Sequence, residues 1–219
     1  STMSFEPLTE ERIETDSTYD AGTTTQLMWG ARSDVGCVRP HNEDSYLVQS
    51  PLFCVCDGMG GHAAGEVASS IAVETIAKTA PQSADAARLA AAVEAANAAV
   101  IEAALNGLGK PGMGCTATCA YIENDTLAIA HVGDSRAYLL HEGTLIRVTR
   151  DHSYVEELVD AGEITADEAR VHPNRSVITR ALGSDPAMYA DHFTLHIEEG
   201  DRLILCSDGL SSMIPDSDI

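Results

Sequence analysis

Three apolar runs of this chain each end on an aspartate at a turn. The aspartates are Asp57, Asp134 and Asp208, and glycine follows both Asp57 and Asp208. Each run is short and bounded by turn residues, which predicts a strand buried on both faces. An aspartate at the end of such a strand lies half inside the protein, where an uncompensated carboxylate is costly. These carboxylates therefore need a group that compensates their charge.

Hard divalent cations would compensate them, because such cations take carboxylate, carbonyl and water oxygens as ligands. A single Asp-Gly after a strand is more often an ordinary turn, since Asp caps its own backbone and glycine adopts positive φ. Three strand-end aspartates in one chain favour the metal interpretation instead. A cluster of carboxylates on a rigid sheet edge is what a two-metal hydrolytic centre requires.

Two further segments could take part in such chemistry. Arg39 lies just before Glu43 and Asp44, ahead of a predicted strand. Its planar guanidinium suits bidentate phosphate binding, although beside two carboxylates it could also form a surface ion pair of little energetic weight. The glycine-rich turn from Asp57 to Gly61 precedes a predicted helix. Such a backbone lets amides and carbonyls approach an ion, and it is equally compatible with a flexible link.

The composition limits the classes of partner. With 219 residues the chain is long enough for one large domain with its own core. Its net charge of −21, from 34 acidic and 13 basic residues, argues against nucleic acid and anionic membrane as partners. No apolar run approaches the ~20 residues that span a bilayer. We therefore expect a soluble domain whose local cations attract any anionic substrate.

The six cysteines lie at positions 37, 54, 56, 115, 119 and 206. Most of them fall inside predicted strands, where free cysteine behaves as a small hydrophobic residue. The Cys-x-Cys and Cys-x-x-x-Cys spacings leave a zinc site open, but neither matches the usual paired-ligand spacing. Buried reduced thiols indicate a reducing compartment, so we expect a cytoplasmic protein.

The elements that must position these residues follow from periodicity and turn signals. Residues 1–25 are polar and acidic and are predicted to be a mobile leader, so that 26–219 form the domain. Helices are predicted along the stripe from Ala68 to Ile76 and from an N-cap at Ser83 to Gly107. Polar, helix-prone residues at about 150–180 form a small insertion. Strands are predicted near 26–30, 45–48, 52–56, 115–123, 126–133, 136–141, 144–148, 191–198 and 201–206. This order indicates an α+β domain of antiparallel sheets with helices packed outside.

The same residues carry a family resemblance over about 26–219. The motifs, in chain order, are Arg39-x-x-Asn42-Glu43-Asp44, Asp57-Gly-Met-Gly-Gly-His-x-x-Gly65-Glu66, Gly114-Cys-Thr116, Val132-Gly-Asp134-Ser-Arg136, Asp151-His152-Ser, Leu158-Val-Asp-Ala-Gly162, Thr179-Arg-Ala-Leu-Gly183 and Cys206-Ser-Asp208-Gly. Together they resemble the bacterial, and most closely the actinobacterial, metal-dependent serine/threonine protein phosphatases of the PPM family, type 2C.

The resemblance implies a four-layer α-β-β-α sandwich with two or three Mn²⁺ or Mg²⁺ ions at one edge. Asp57 would bridge two ions, with the Gly58 carbonyl on one and Asp208 on the other. Asp134 and Asp208 would hold a third ion, with the Ser176 backbone as a weaker candidate. Among the remaining site residues, the implied roles are substrate phosphate binding for Arg39 and ordering of metal-bound water for Glu43 and Asp44. Residues 150–180 would be a flap beside the site.

The activity implied is hydrolysis of phosphoserine and phosphothreonine in proteins by a metal-activated water, without a phosphoenzyme, opposing serine/threonine kinases. The alternative is a non-catalytic pseudophosphatase that binds metal or phosphopeptide. One departure from eukaryotic members is Met59, which stands where they have histidine and leaves the general acid unassigned. The family pattern also continues past Ile219 to a Gly-x-Asp-Asn motif. We therefore expect the chain to lack closing elements and one metal ligand, and a membrane tether beyond residue 219 stays open.

Overall fold

The computed structural model of the chain describes residues 18–23, 28–33 and 44–207. The strands are β1 Thr18–Thr23, β2 Met28–Ser33, β3 Asp44–Gln49, β4 Leu52–Met59, β5 Gly114–Cys115, β6 Ala117–Glu123, β7 Thr126–Val132, β8 Arg136–His141, β9 Thr144–Arg147, β10 Asp191–His196 and β11 Arg202–Cys206. The helices are α1 His62–Thr79, α2 Ala86–Leu105, α3 Tyr154–Asp160 and α4 Ala166–Val171. None of these helices has both the length and the apolar composition that a membrane crossing requires.

The strands form two packed antiparallel sheets. In the large sheet the order is β10-β7-β6-β4-β3, with β5 paired to the end of β4. In the small sheet the order is β11-β8-β9, and β1 pairs with β2 separately. The strands predicted near 45–48 and 52–56 are present as β3 and β4, and they form a hairpin around Ser50 and Pro51. The strands predicted near positions 115–148 and 191–206 are likewise confirmed within a few residues.

Two cores hold the layers together, one on each face of the large sheet. Helices α1 and α2 cover one face, where small residues such as Ala72 and Ala96 are fully buried and allow close approach to the sheet. The other face meets the small sheet through Phe53, Ile129 and Leu203. Successive strand residues point to opposite faces, so Phe53 enters one core and Cys54 the other. The predicted α+β sandwich flanked by helices is confirmed, and the described residues contain three of its layers.

Two boundaries differ from the prediction. Residues 18–23, predicted as part of a mobile leader, form β1 and pair in register with β2. This segment contains Thr18, Tyr19 and Thr23, which favour strands once a partner is available. Helix α2 begins at Ala86 and not near Ser83, because the Asp85 side chain accepts the Arg88 backbone N–H and caps the helix.

The insertion predicted at 150–180 has helices in the expected places. Ser153 caps α3, and Thr165 with Glu168 forms a capping box on α4. The base of the insertion is nevertheless part of the fold, since Asp151 and His152 are buried. The exposed part of the insertion therefore begins at α3, later than the sequence pattern suggests.

Candidate metal centre

Asp57 and Gly58 lie at the end of β4, and both are buried. One residue of the neighbouring chain segment fixes the Asp57 backbone on both sides. The Asp57 N–H donates to the Thr116 hydroxyl (3.0 Å), and the Thr116 N–H donates to the Asp57 carbonyl (3.0 Å). Gly58 pairs with Cys115 across the short strand β5. The backbone that carries the predicted bridging carboxylate is therefore held rigidly.

Asp44 stands directly opposite Asp57 in the β3–β4 register. Residues paired in this way place their side chains on the same face, and like charges there are destabilising. A cation shared by the two carboxylates would turn this repulsion into attraction. The register is thus an observation of the fold that fits a metal centre at this end of β4.

Asp134 is buried two residues after β7 ends, at the same edge of the large sheet. Strands β6 and β7 pair Ala117 with Val132, which brings their Thr116 and Gly133 ends together. The Thr116 hydroxyl, which accepts from Asp57, also bonds the Ser135 hydroxyl at 2.6 Å. Thr116 thereby joins the turns of Asp57 and Asp134. We use the name carboxylate cluster for Asp44, Asp57 and Asp134, which share this edge of the large sheet. Carboxylate oxygens suit Mg²⁺ or Mn²⁺.

Gly133 is required by the geometry of the second turn. Its φ of +106° lies in the left-handed region that L side chains rarely adopt. A Cβ atom at this position would lie 2.5 Å from the Thr116 Cγ2 atom, well inside contact distance. The turn before Asp134 therefore approaches Thr116 as closely as it does only because residue 133 has no side chain.

His152 holds this turn from the other side. The His152 N–H donates to the Gly133 carbonyl (2.8 Å), and the Gly133 N–H donates to His152 Nδ1 (2.9 Å). Because Nδ1 accepts, the ring is neutral with its proton on Nε2, which donates to Asp191 (2.7 Å). Burial lowers the pKa of His152, in agreement with a neutral ring. Although burial opposes ionisation, Arg180 and His152 together lower the pKa of Asp191.

A second buried histidine, His131, packs next to His152. The rings of His131 and His152 are 5.0 Å apart between centroids. His131 Nδ1 bonds the Thr118 hydroxyl and its Nε2 bonds the Arg150 carbonyl, both at 2.9 Å. Burial, with a smaller contribution from His152, lowers the pKa of His131 to about 4. Both histidines are therefore neutral near pH 7.

Two ion pairs anchor the start of the insertion. Arg136 makes a bidentate contact with Asp151, with Nε–Oδ1 and Nη2–Oδ2 distances of 2.9 and 2.7 Å. Burial opposes the charge on Arg136, but Asp151 more than offsets this and raises the pKa of the guanidinium. Arg147 contacts the buried carboxylate of Glu156 at 2.9 Å. These pairs fix the start of the insertion to the small sheet.

Ser176 lies in an exposed turn after α4. The residues after it pair with the base of the insertion, since the Tyr154 N–H donates to the Val177 carbonyl and the Thr179 N–H to the His152 carbonyl. Three other predicted site residues, Arg39, Glu43 and Asp208, lie outside the described residues. Strand β11 ends at Cys206, which pairs with Arg136 beside the Asp134 turn.

Sequence reasoning gave no role to four residues that hold the site. Thr116 and His152 stand in quoted motifs, so a signal existed, but their contacts depend on which strands become neighbours. Arg180 also stands in a quoted motif, whereas Asp191 gave no signal. Asp191 contacts His152 across 39 residues of chain, and Arg180 is linked to His152 through Asp191.

Another group of possible ligands lies at the opposite end of the sheets. His141, Glu142 and Glu198 offer ligand atoms within 4.8 Å of one another, and all three are at least partly exposed. The His141 Nδ1 atom bonds the buried carboxylate of Asp201 at 2.6 Å. That hydrogen bond, with the nearby glutamates, raises the pKa of His141. We interpret this group as an ion-pair cluster around a charged histidine.

The cysteines pack as part of the core. Cys54 and Cys119 stand opposite each other on β4 and β6, with their Sγ atoms 2.9 Å apart, and Cys56 lies 3.7 Å from Cys54. Hydrogen bonding to Cys119, followed by burial, raises the pKa of Cys54. The thiolate that zinc requires is thus disfavoured at Cys54, whereas hydrogen bonds with Cys115 and Cys54 lower the pKa of Cys56 to about 5. Because these cysteines are packed inside the core, their interpretation as small hydrophobic groups fits better.

Comparison with known proteins identifies the family of the chain. The sequence profile of the protein phosphatase 2C family matches residues 30–219. The chain therefore belongs to the protein phosphatase 2C family. It is 43% identical over 205 residues to serine/threonine protein phosphatase PstP of Mycobacterium tuberculosis, covering 91% of this chain and 39% of that relative. The chain thus spans about two fifths of the length of the mycobacterial protein.

Two further similarities cover more of the compared chain. Serine/threonine phosphatase Stp of Listeria welshimeri is 38% identical over 200 residues, covering 86% of this chain and 79% of the relative. The crystal structure of the catalytic domain of PstP in complex with two manganese ions superposes with a TM-score of 0.77 and 38% identity. That superposition covers 92% of this chain and 81% of the other.

Proposed function

We propose that this chain is the catalytic domain of a metal-dependent phosphatase that hydrolyses phosphoserine and phosphothreonine in proteins. The observation that carries the proposal lies at one edge of the large sheet. There Thr116 hydrogen-bonds both the backbone of the buried Asp57 and the hydroxyl of Ser135, which follows the buried Asp134. Membership of the protein phosphatase 2C family supports the reaction class. Rigid, buried oxygen donors at a sheet edge are the protein's contribution to such a centre.

The metal ligands of this proposal are Asp57, the Gly58 carbonyl and Asp208, with Asp134 and the Ser176 backbone at a third cation. Glu43 and Asp44 would orient ligands from outside, and the pairing of Asp44 with Asp57 supports that role. When bound, Mn²⁺ or Mg²⁺ ions supply a nucleophile by lowering the pKa of water and neutralise phosphoryl charge. The manganese ions in the PstP catalytic domain support this choice of metal.

Within this mechanism, the chain's own groups orient the substrate and hold the carboxylates. The Arg39 guanidinium would bind two phosphoryl oxygens of the substrate and hold the phosphorus in line for attack. Thr116 and His152 keep the turns of Asp57 and Asp134 from moving. Thr116 hydrogen-bonds the Asp57 backbone and the Ser135 hydroxyl, and His152 hydrogen-bonds the Gly133 backbone. The group that protonates the leaving serine or threonine oxygen stays unassigned.

Residues 26–219 form the phosphatase domain in this proposal, and the exposed part of 150–180 is a flap beside the site. Tyr154, Val171, Val177 and Tyr189 are exposed on or near this segment and could contact residues flanking a phosphorylated side chain. The substrates would be phosphoproteins, among them serine/threonine kinases that the enzyme opposes in signalling. The cysteines in the described part of the chain are buried and form no disulfide there, which supports a reducing compartment, and hence the cytoplasm.

The alternative of a non-catalytic phosphopeptide- or metal-binding domain is less well supported. A degenerate module loses its need for the catalytic groups, yet Arg39, Asp57, Asp134 and Asp208 are all present. Asp57 and Asp134 are also held by hydrogen bonds to the adjoining backbone or side chains. A binding module would not need this degree of fixation at both carboxylates.

The test is Asp57→Asn in a form that includes the whole phosphatase domain. With Mn²⁺ present, turnover of p-nitrophenyl phosphate and of a phosphothreonine peptide should fall by at least about 100-fold, because one carboxylate would hold two cations. The matched control is Asp125→Asn, the same change at an exposed turn at the other end of β6 and β7. Full activity in Asp57→Asn, or no metal-dependent turnover in the wild type, would contradict the proposal.

A further inference from the structure

Three backbone hydrogen bonds place the base of the insertion between the two segments assigned to the third cation. The His152 N–H donates to the Gly133 carbonyl, next to Asp134. The His152 carbonyl accepts the Thr179 N–H, and the Tyr154 N–H donates to the Val177 carbonyl. The last two contacts fix the strand-like stretch that directly follows Ser176. One short segment thereby sets the position of both Asp134 and Ser176.

The side chain of His152 strengthens this link at its centre. The ring is 2% exposed, and its two nitrogens face different segments. Nδ1 accepts the Gly133 N–H, while Nε2 donates to Asp191 at the start of β10. The position of Nδ1 relative to the large sheet is therefore determined by the hydrogen bond on the opposite side of the ring.

Asp191 is itself fixed from the side of the 176–182 segment. Arg180 donates to its second carboxylate oxygen at 2.8 Å. The Arg180 guanidinium lies 4.2 Å above the ring centroid of Tyr189, which restricts its movement. The connected groups run from Gly133 through His152 and Asp191 to Arg180. We call these four hydrogen-bonded residues, Gly133, His152, Asp191 and Arg180, the histidine relay.

We propose that His152 is a positioning residue for the third cation, and that the histidine relay sets the separation of Asp134 and Ser176. This inference rests on the proposed function. Gly133 has a φ of +106°, and because glycine changes backbone conformation easily, contacts with its surroundings must hold this turn in place. The hydrogen bond from the Gly133 N–H to His152 Nδ1 is one of the contacts that hold the turn, on the side away from Thr116. Loss of this bond lets the Asp134 turn relax and weakens the cation site to which it contributes.

Two substitutions separate the two halves of the ring. In His152→Asn, the side-chain oxygen takes the place of Nδ1 and can still accept the Gly133 N–H, but the contact to Asp191 is lost. In His152→Gln, the terminal amide takes the place of Nε2 and keeps the Asp191 contact, but the acceptor for Gly133 is lost. The matched control is His131→Asn, which alters the neighbouring buried ring and leaves the contacts of Gly133 in place.

The experiment measures Mn²⁺ binding by electron paramagnetic resonance, together with hydrogen exchange of the Gly133 amide without metal and turnover of p-nitrophenyl phosphate. In His152→Gln we expect the dissociation constant of the weakest bound Mn²⁺ to rise by about 10-fold or more, the usual scale for groups that orient metal ligands. The Gly133 amide should exchange faster. His152→Asn should lose less affinity, about 3-fold, because it keeps the acceptor for the Gly133 N–H but lacks the Asp191 contact that orients the side chain. His131→Asn should show no loss.

Equal loss of Mn²⁺ affinity in His152→Asn and His152→Gln, or no loss in either, would overturn the positioning role. A loss in His131→Asn as large as in His152→Gln would do the same, because it would show that general destabilisation suffices. These results leave the proposed function standing as long as the wild type turns over substrate with Mn²⁺. A wild type that neither binds Mn²⁺ nor turns over would overturn the proposed function and this inference together.

Discussion

Acidification should destabilise the protein through His131. This ring is fully buried and bonds the Thr118 hydroxyl and the Arg150 carbonyl. The Arg150 carbonyl can only accept, so the ring proton resides on Nε2 and Nδ1 accepts from Thr118. A second proton on Nδ1 would place a charge in the core and break the Thr118 hydrogen bond. The folded state therefore resists protonation at this position.

The size of the effect follows from the two pKa values of His131. Burial, with a smaller contribution from His152, lowers the pKa in the folded protein to about 4, against about 6.5 in the unfolded chain. A depressed pKa gives stability that is complete above the unfolded value and is lost as the pH falls through the window between the two. Linkage gives a loss of about 2 kcal/mol at pH 5 and about 3 kcal/mol below pH 4.

The measurement is urea unfolding in EDTA at pH 7.5 and pH 5.0, on the wild type and on His131→Asn. Asparagine can still accept from Thr118 but does not titrate, so carboxylate effects common to both proteins cancel. The wild type should lose about 2 kcal/mol more than the variant between the two pH values. A difference below about 0.5 kcal/mol would show that His131 is not the group responsible.

Three further changes test the site. Gly133→Ala should lower the free energy of unfolding by about 2 to 4 kcal/mol, because the new Cβ clashes with Thr116 and the backbone is strained for alanine. The measurement is a urea titration. Its control is Gly200→Ala, where φ is also positive but the space around the residue is open. Arg39→Ala should lower kcat/KM by the equivalent of about 2 to 4 kcal/mol at unchanged melting temperature; lost stability with normal kinetics would indicate a structural ion pair. Tyr154→Ala should impair phosphopeptide turnover more than aryl phosphate turnover, and equal losses would argue against recognition by the flap.

The ends of the strands could be predicted from the sequence, and so could one register. The apolar runs before Asp57 and Asp134 stop within three residues of the ends of β4 and β7, because a charged residue followed by a turn marks the end of a buried strand closely. A two-residue turn at positions 50–51 fixes the pairing of β3 with β4. Once that turn is identified, Asp44 must lie opposite Asp57. Short-range geometry was sufficient for this part of the site.

The contacts that hold the site could not be predicted in the same way. Thr116 reaches Asp57 across a chain separation of 59 residues, and His152 reaches Asp191 across 39. Such contacts depend on the order of strands in the sheet and on the path of the insertion, which periodicity does not encode. The same limit explains the error at residues 18–23, where strand formation depends on pairing with β2. Local propensity alone was weak there.

Three residues beside the carboxylate cluster share one chemical property, which is that their side chains carry no charge. Within the described residues, the turns of Asp57 and Asp134 contact hydroxyls of Thr116 and Ser135 and the neutral imidazole of His152. A lysine or arginine in these places would compete with a metal ion for the same carboxylates. In the described part of the chain, the ion pair of Arg136 with Asp151 instead stiffens the base of the insertion. Hydroxyls and a neutral imidazole hold the turns without adding positive charge of their own beside the carboxylates.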